Sequence, residues 1–421
     1  MKKVLIIADL FYASPRIPGL AKYLPEFGWE PVILTVPLGE DPDSSFGPPN
    51  DFRQKNRVIE TQGYISSSVR LGTRRSFRRI KPLLKFIYGR YKEIAHYPDR
   101  QKGWMPFAVN AAEELLKKEE VNALISSSPP ATCHLIAHAF REKHAVPWVA
   151  DFRDLWTQNH NYPYSPLRKI FEKRLEVRTL SIADALVTVS TFWAEKLKAM
   201  HGKKTYAITN GFDPDIMTKR TVDLTKNFTI TYTGQIYKRR QDPSILLAAI
   251  RVLISGGTVD PKEVEVRFYG PENELLERDI ERYGLLDVVK QHGIISREVS
   301  FQKQKESQVL LLLNWDDPQE KGVYTGKVFE YLAAQRPILV TGGFGSDVVE
   351  QLLDETDSGI YCSTVEKTEN ALKNLYSEYK LKGKVTYQGV AEKINKYDYR
   401  EMARSFAEIL DKLTKKEINL Q

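Results

Sequence analysis

Lys327 and Glu330 stand three residues apart in Tyr324-Thr325-Gly326-Lys327-Val328-Phe329-Glu330-Tyr331-Leu332-Ala333-Ala334, and the strand-like run Pro337-Ile338-Leu339-Val340 follows. Val328, Phe329 and Leu332 recur at helical spacing and predict a helix that buries them. With Thr325 at its N-cap, the backbone N–H groups of Gly326 and Lys327 are left unbonded at the positive end of the helix dipole. Such an end binds anions, and Lys327 adds a full charge. Glu330 falls off the buried stripe, one turn into the helix, where a carboxylate can accept hydrogen bonds from two ribose hydroxyls. Taken by itself it is equally an exposed acid near a helix start.

A second segment, Thr231-Tyr232-Thr233-Gly234-Gln235, reads as a strand ending in glycine, where a ligand or another backbone can come close. Tyr237-Lys238-Arg239-Arg240 follows, three consecutive cations able to make charge-assisted hydrogen bonds to a diphosphate or to form a solvated face. Three clusters lie in the first half of the chain. The turn after Val4–Ala8 continues through Asp9 to Arg16 without the glycines a dinucleotide site needs, which argues against an NAD-type site there and leaves Arg16 as a cation for a cleft. Ser126-Ser127-Ser128-Pro129-Pro130 ends a strand and leads into a helix. Asp151-Phe152-Arg153-Asp154 ends the next strand, and its two carboxylates either orient acceptor hydroxyls or form a structural ion pair.

The elements that must position these residues alternate. Strand-like runs at Lys3–Ala8, Pro31–Val36, Ala123–Ser127, Trp148–Phe152, Ala185–Ser190 and Tyr206–Thr209 are separated by helical patterns such as Trp104–Lys118, Ala131–Lys143, Leu167–Ile182 and Thr191–His201. The rhythm restarts at Phe228–Thr233 and continues through Val264–Tyr269, Val309–Leu313, Pro337–Val340 and Gly359–Cys362. Continuous apolar strands alternating with helices predict an α/β protein with two doubly wound, Rossmann-like domains. A chain of 421 residues is long enough for two. The expected division is residues 1–212, a polar linker at 213–227, a second domain at 228–395, and a terminal helical segment at 396–421 packing back on the first domain. Ligands of such a pair are expected in a cleft at the carboxyl ends of the strands.

Bulk properties narrow the class. Apolar residues make up 42% and charged residues 28%, the balance of a soluble globular protein. Val4–Ala8 is too short for a signal peptide or a membrane span, and no run of about 18 apolar residues occurs. Cys133 and Cys362 lie in opposite halves without metal-ligand spacing, which argues against a disulfide framework or a zinc site and points to a reducing cytoplasm. The net charge of +8 is local: residues 70–102 hold eleven Lys and Arg against Glu93 and Asp99, and the remainder is close to neutral. Arg70–Tyr91 interleaves these cations with apolar residues. Such a stretch can lie on an anionic membrane surface, at roughly 1 kcal/mol per cation, or form a solvated helical insertion. One short patch without a recognition motif argues against nucleic acid.

Ile208-Thr209-Asn210-Gly211-Phe212-Asp213, Tyr232-Thr233-Gly234-Gln235 and Lys327-Val328-Phe329-Glu330-Tyr331-Leu332, in that order and spacing, resemble family 4 glycosyltransferases of the GT-B fold, including bacterial relatives that build surface polysaccharides. The resemblance covers essentially the whole chain. It implies a retaining transferase that needs no bound metal or other cofactor and takes a nucleotide-sugar donor, a UDP-sugar above all. The acceptor it implies is a glycan or a lipid-linked glycan, which would place the protein in the cytoplasm or on the inner membrane face. Glu330 would bind the ribose diol, Arg240 and Lys327 the phosphates, and Thr325 and Gly326 would supply amides. Ser128, Pro129, Pro130, Asp151, Arg153 and Asp154 look like elements facing the acceptor and the donor sugar.

This chain departs from the family's pattern in three places. Gly322 stands where many members carry a sugar-contacting Glu, and Gln235 stands where many carry an Arg. The histidine common near Asp151–Asp154 is unmatched. The second departure shifts the expected diphosphate contact to Lys238, Arg239 and Arg240. A catalytically weak nucleotide-sugar-binding partner of another transferase, or a sugar-nucleotide epimerase of similar fold, are the competing readings.

Overall fold

The computed structural model describes residues 1–39, 47–49, 51–62, 93–159, 161–217, 222–237 and 240–418. The basic stretch Arg70–Tyr91 lies outside the described residues. The chain divides into two compact units, Met1–Thr209 with Ala403–Gln421, and Asn210–Met402.

The first unit is built on a parallel sheet of seven strands: β1 (Lys2–Ala8), β2 (Trp29–Thr35), β3 (Arg57–Glu60), β4 (Ala123–Ser128), β5 (Trp148–Phe152), β6 (Ala185–Thr188) and β7 (Thr205–Ala207). Their spatial order is β3-β2-β1-β4-β5-β6-β7, so the direction of winding reverses between β1 and β4. Val4–Ala8 of β1 is fully enclosed because both neighbours and both layers of helices cover it. In the second unit β8 (Phe228–Thr233), β9 (Val264–Tyr269), β10 (Val289–Gln291), β11 (Val309–Leu313), β12 (Ile338–Thr341) and β13 (Gly359–Cys362) run in the order β10-β9-β8-β11-β12-β13, reversing between β8 and β11. In open parallel sheets ligands bind outside the carboxyl ends of the strands at such a reversal. The residues following β8 and β11 therefore carry the interest in the second unit.

Two strands, β3 and β10, have no counterpart among the apolar runs of the sequence. Both are edge strands of three or four residues that mix apolar and polar side chains, and pairing on one side only demands no apolar run. The unit boundary also falls three residues earlier than the sequence suggests. Phe212 donates its N–H to the Tyr397 carbonyl and accepts from the Tyr399 N–H at 2.8 Å, which ties Asn210–Phe212 into the second unit. Of the polar stretch 213–227, read above as a linker, the described residues 213–217 and 222–227 belong to that unit as well. Thr225 donates its N–H to Glu306 and receives Gln308 on its carbonyl. In the terminal helix, Tyr399–Ile418, residues from Ala403 onward belong to the first unit, where Asp411 pairs with Lys2 at 2.9 Å.

The bridge between Phe212 and Asp398 explains Gly211: a β-carbon there would run into the Tyr397 carbonyl and the backbone of Asp398. Gly211→Ala should lower the unfolding free energy by about 2 kcal/mol in urea titration. Gly326→Ala, whose methyl meets nothing within 4 Å, should stay within about 0.5 kcal/mol of the parent. Equal midpoints for the two variants would contradict this packing.

Candidate functional site

In the second unit the carboxyl end of β8 meets the helix Gly326–Ala334. Val328, Phe329, Tyr331 and Leu332 bury the helix against the sheet, and the Tyr331 hydroxyl accepts the Thr233 N–H at 3.1 Å. This bond fixes the helix start relative to Gly234. Gly234 has φ +112°, and an added β-carbon would stand 2.5 Å from Lys327 Cε. The backbone angle calls for glycine here, and the flexible end of the Lys327 side chain lies across the space a β-carbon would take. The Lys327 ammonium comes to rest 5.3 Å from the centre of the Tyr232 ring.

Lys327 has no carboxylate within salt-bridge distance among the described residues. Burial pushes its pKa down to about 8, opposed by the charge of Glu330. Thr325 has the extended backbone of an N-cap, yet its side chain accepts no bond from the helix, and its buried Oγ1 has no partner. Among the described residues no backbone acceptor receives the N–H groups of Gly326 or Lys327. Glu330, half-buried, meets Arg297 Nη2 at 3.4 Å through Oε1 and Gln304 Nε2 at 3.5 Å through Oε2. Gln304 is fully buried, donates to Thr233 Oγ1 at 3.0 Å, and keeps its own carbonyl oxygen unpartnered. An anion-accepting helix end, a partly desolvated cation and a held carboxylate therefore converge on the end of β8. Sequence reasoning placed Gly234, Thr325, Gly326, Lys327 and Glu330 here. It missed Arg297 and Gln304, whose helix, Arg297–Glu306, carries no motif. Gln235 and Arg240 are exposed beyond Gly234, and the Arg240 carbonyl accepts the Asp316 N–H at 2.9 Å. Lys238 and Arg239 lie outside the described residues.

A polar knot follows β11. Asn314 Nδ2 donates to Asp347 at 2.6 Å and to the Tyr361 hydroxyl at 2.8 Å, and that hydroxyl donates to the same Asp347 oxygen at 2.9 Å. Asp316 accepts the Gly343 N–H at 2.8 Å, and burial raises its pKa.

The corresponding cluster of the first unit corrects two expectations. Asp151 and Arg16 are at most 2% exposed. They form a two-pronged pair, Nε to Oδ2 at 3.1 Å and Nη2 to Oδ1 at 2.9 Å, with Ser127 Oγ donating to Oδ2 at 2.7 Å and Arg16 Nη1 donating to the Thr209 carbonyl at 2.9 Å. Neither group is presented to a ligand; the ion-pair reading of Asp151 is the one the geometry favours. Arg153 is held by Ser127 Oγ at 3.1 Å and by the carbonyls of Tyr12 and Pro129, so it ties three strand ends together. Ser128 is buried with Pro130, Pro129 is partly exposed, and of the acidic pair only Asp154 is exposed. No motif marks Asp9, which is fully buried at the end of β1. It accepts from Phe11 N–H at 3.1 Å and Gln101 Nε2 at 2.9 Å, and burial raises its pKa.

Two units, each a doubly wound parallel sheet, make up the GT-B architecture. Residues 19–216 match the sequence model of Glycosyltransferase Family 4. A search of curated protein sequences finds no match. Among solved structures, sucrose-phosphate synthase from Thermosynechococcus elongatus superposes with a TM-score of 0.63 at 12% identity, over 98% of this chain and 99% of that one. Anabaena Alr3699/HepE, solved in complex with UDP and glucose, gives 0.62 at 13% identity, over 98% and 100%. A Listeria monocytogenes protein assigned as a UDP-N-acetylglucosamine 2-epimerase gives 0.55 at 13%, over 96% and 95%. The chain resembles family 4 glycosyltransferases and has their GT-B fold. Among the described residues, no helix is long and apolar enough to cross a membrane, and no group of three or more His, Cys, Asp or Glu is placed to hold a metal ion.

The depressed pKa of Lys327 has a measurable sign. The folded protein loses this proton near pH 8, the unfolded chain only near about 10.4, so the charge burdens the fold below about pH 8 and the burden lifts as pH rises toward about 10. Lys327→Met should therefore raise the thermal midpoint of the ligand-free protein at about pH 7, with a gain that vanishes by about pH 10. A midpoint that falls at neutral pH would show that the ammonium stabilises the fold.

Proposed function

We propose that this chain transfers a sugar from a nucleotide diphosphate-sugar, a UDP-sugar foremost, to a glycan or lipid-linked acceptor with retention of anomeric configuration. The observation that carries the reading is Lys327, a partly buried cation that pairs with no carboxylate among the described residues, beside the Gly326 and Lys327 amides, which no described backbone acceptor receives, and three residues before Glu330. In this reading the diphosphate sits on those amides, the Thr325 hydroxyl and Lys327, with Arg240, Gln235, Lys238 and Arg239 bordering it. Glu330, poised between Arg297 and Gln304, takes the ribose diol. The bond from the anomeric carbon to the diphosphate breaks on the face where the acceptor oxygen bonds. The acceptor's proton passes to the departing phosphate oxygen, so no protein base is required. The protein's contribution is positioning and stabilisation of the leaving charge.

In this reading Pro129 and the exposed Asp154 face the acceptor on the first unit, Ser128 and Pro130 are buried in the same turn, and Arg153 holds that turn in place. The work belongs to cell-surface polysaccharide or glycolipid synthesis on the cytoplasmic side, where the basic stretch Arg70–Tyr91 would meet an anionic membrane. The family match over residues 19–216 and the shared fold support a transferase; the fold alone is also that of an epimerase.

Calorimetric titration with UDP, GDP and ADP tests the site. One of them should bind, and Glu330→Ala should weaken that binding about ten- to hundredfold, since two hydrogen bonds to a carboxylate are lost. Incubation with a panel of sugar nucleotides, followed by mass spectrometry and proton NMR, should then show slow release of the sugar with retained configuration. No nucleotide binding would sink the proposal. An epimerised sugar still joined to its nucleotide would give the site to an epimerase, and binding without turnover would give it to a non-catalytic partner.

A further inference from the structure

The helix Pro166–Leu180 of the first unit is inverted. Its buried face carries Arg168, Glu172, Glu176 and Thr179, joined only at its last residue by Leu180, while Leu167, Ile170, Phe171 and Val177 are 41–65% exposed. The buried charges are fully engaged. Arg168 Nε bonds Glu172 at 2.6 Å, and its Nη2 donates to the carbonyls of His96 at 3.0 Å and Pro98 at 2.7 Å. Trp156 Nε1 donates to Glu172 at 3.1 Å; Thr157 N–H at 3.0 Å and His201 Nε2 at 3.3 Å meet Glu176. A helix that only completed the fold would bury its apolar residues and hydrate its charged ones. Here satisfying the charges inside fixes the rotation that turns the apolar side chains out.

What is turned out is not purely apolar. At 100° per residue the exposed positions Leu167, Ile170, Phe171, Lys173, Arg174, Val177 and Arg178 fall within just under half the circumference. Cations are interleaved with the apolar residues on that face, and both acids of the helix are used up inside. A second copy docked on this face through the same face would set Lys173, Arg174 and Arg178 against their own kind. An anionic lipid surface complements both halves of the pattern, with apolar side chains entering the acyl boundary and cations at the level of the headgroups. We infer that the exposed face of Pro166–Leu180 is a docking surface for an anionic lipid membrane. The inference rests on the geometry of this helix and does not require the transferase reading.

The test uses the full chain. The parent protein should sediment with vesicles of phosphatidylglycerol and phosphatidylcholine and remain in solution with phosphatidylcholine alone. Leu167→Ser, Ile170→Ser and Phe171→Ser together should weaken vesicle binding at least about tenfold, and Lys173→Glu, Arg174→Glu and Arg178→Glu together about a hundredfold or more. Circular dichroism and UDP titration of both variants should match the parent, which separates loss of docking from loss of fold or donor site. An environment-sensitive dye attached to an Ile170→Cys variant should shift to the blue when the anionic vesicles are added. Parent-like vesicle binding by both triple variants, or no dye shift, would overturn the inference, as would a parent dimer in light scattering that the serine variant dissolves.

Discussion

Lys327 lying across Gly234 is the contact on which the second unit's chemistry depends. A strand ends, its last side chain is omitted, and the space receives the aliphatic stem and ammonium of a lysine from a neighbouring helix. The position of that helix is not free: Val328, Phe329, Tyr331 and Leu332 bury it, and the Tyr331 hydroxyl clasps the amide at the end of β8. The consequence is a cation that has lost part of its water without gaining a carboxylate among the described residues. Such a group is costly in the empty protein and strengthened toward an anion, because the desolvation has already been incurred. Tyr232 softens that cost through its ring face.

The first unit resolves the same problem differently. At the ends of β1, β4 and β5 its charges meet one another: Arg16 with Asp151, both with Ser127 or a carbonyl, and Arg153 with Ser127 and two loop carbonyls. This network uses its charges to hold strand ends and leaves none of Arg16 or Asp151 for a substrate. Buried pairs of this kind tolerate loss of one partner poorly, since the other remains charged and dry. Two sheets of the same topology thus diverge in what their strand ends do. One is sealed by paired charges, and the other is left electrostatically incomplete.

The fold was legible because parallel strands buried on both faces read as unbroken apolar runs; β1, β5, β8, β9 and β11 stand within a residue of where the sequence places them. Arg57–Glu60 and Val289–Gln291 were not legible, since edge strands need no such runs. That Gly234, Thr325, Gly326, Lys327 and Glu330 meet at one strand end was legible, because their placement follows from local backbone geometry. Arg297 and Gln304 reach Glu330 only through the tertiary fold, and no local pattern marks them. Asp151 misled in the opposite sense, because a carboxylate at a strand end looks the same in sequence whether it faces a substrate or a buried arginine. The helix Pro166–Leu180 was expected as a helix, but its inversion depends on Trp156, Thr157 and His201, which no periodicity couples to it.

The central claim is that the start of the helix Gly326–Ala334, with Lys327 above Gly234, is an anion site awaiting a nucleotide diphosphate. The most direct measurement follows the backbone amide resonances of Gly326 and Lys327 in nitrogen-15-labelled protein as UDP is added. Both should move saturably and by more than those of Gly202 and Gly383, helix-end glycines remote in sequence from the site. If UDP binds while these two amides stay in place, the nucleotide lies elsewhere and the claim is wrong.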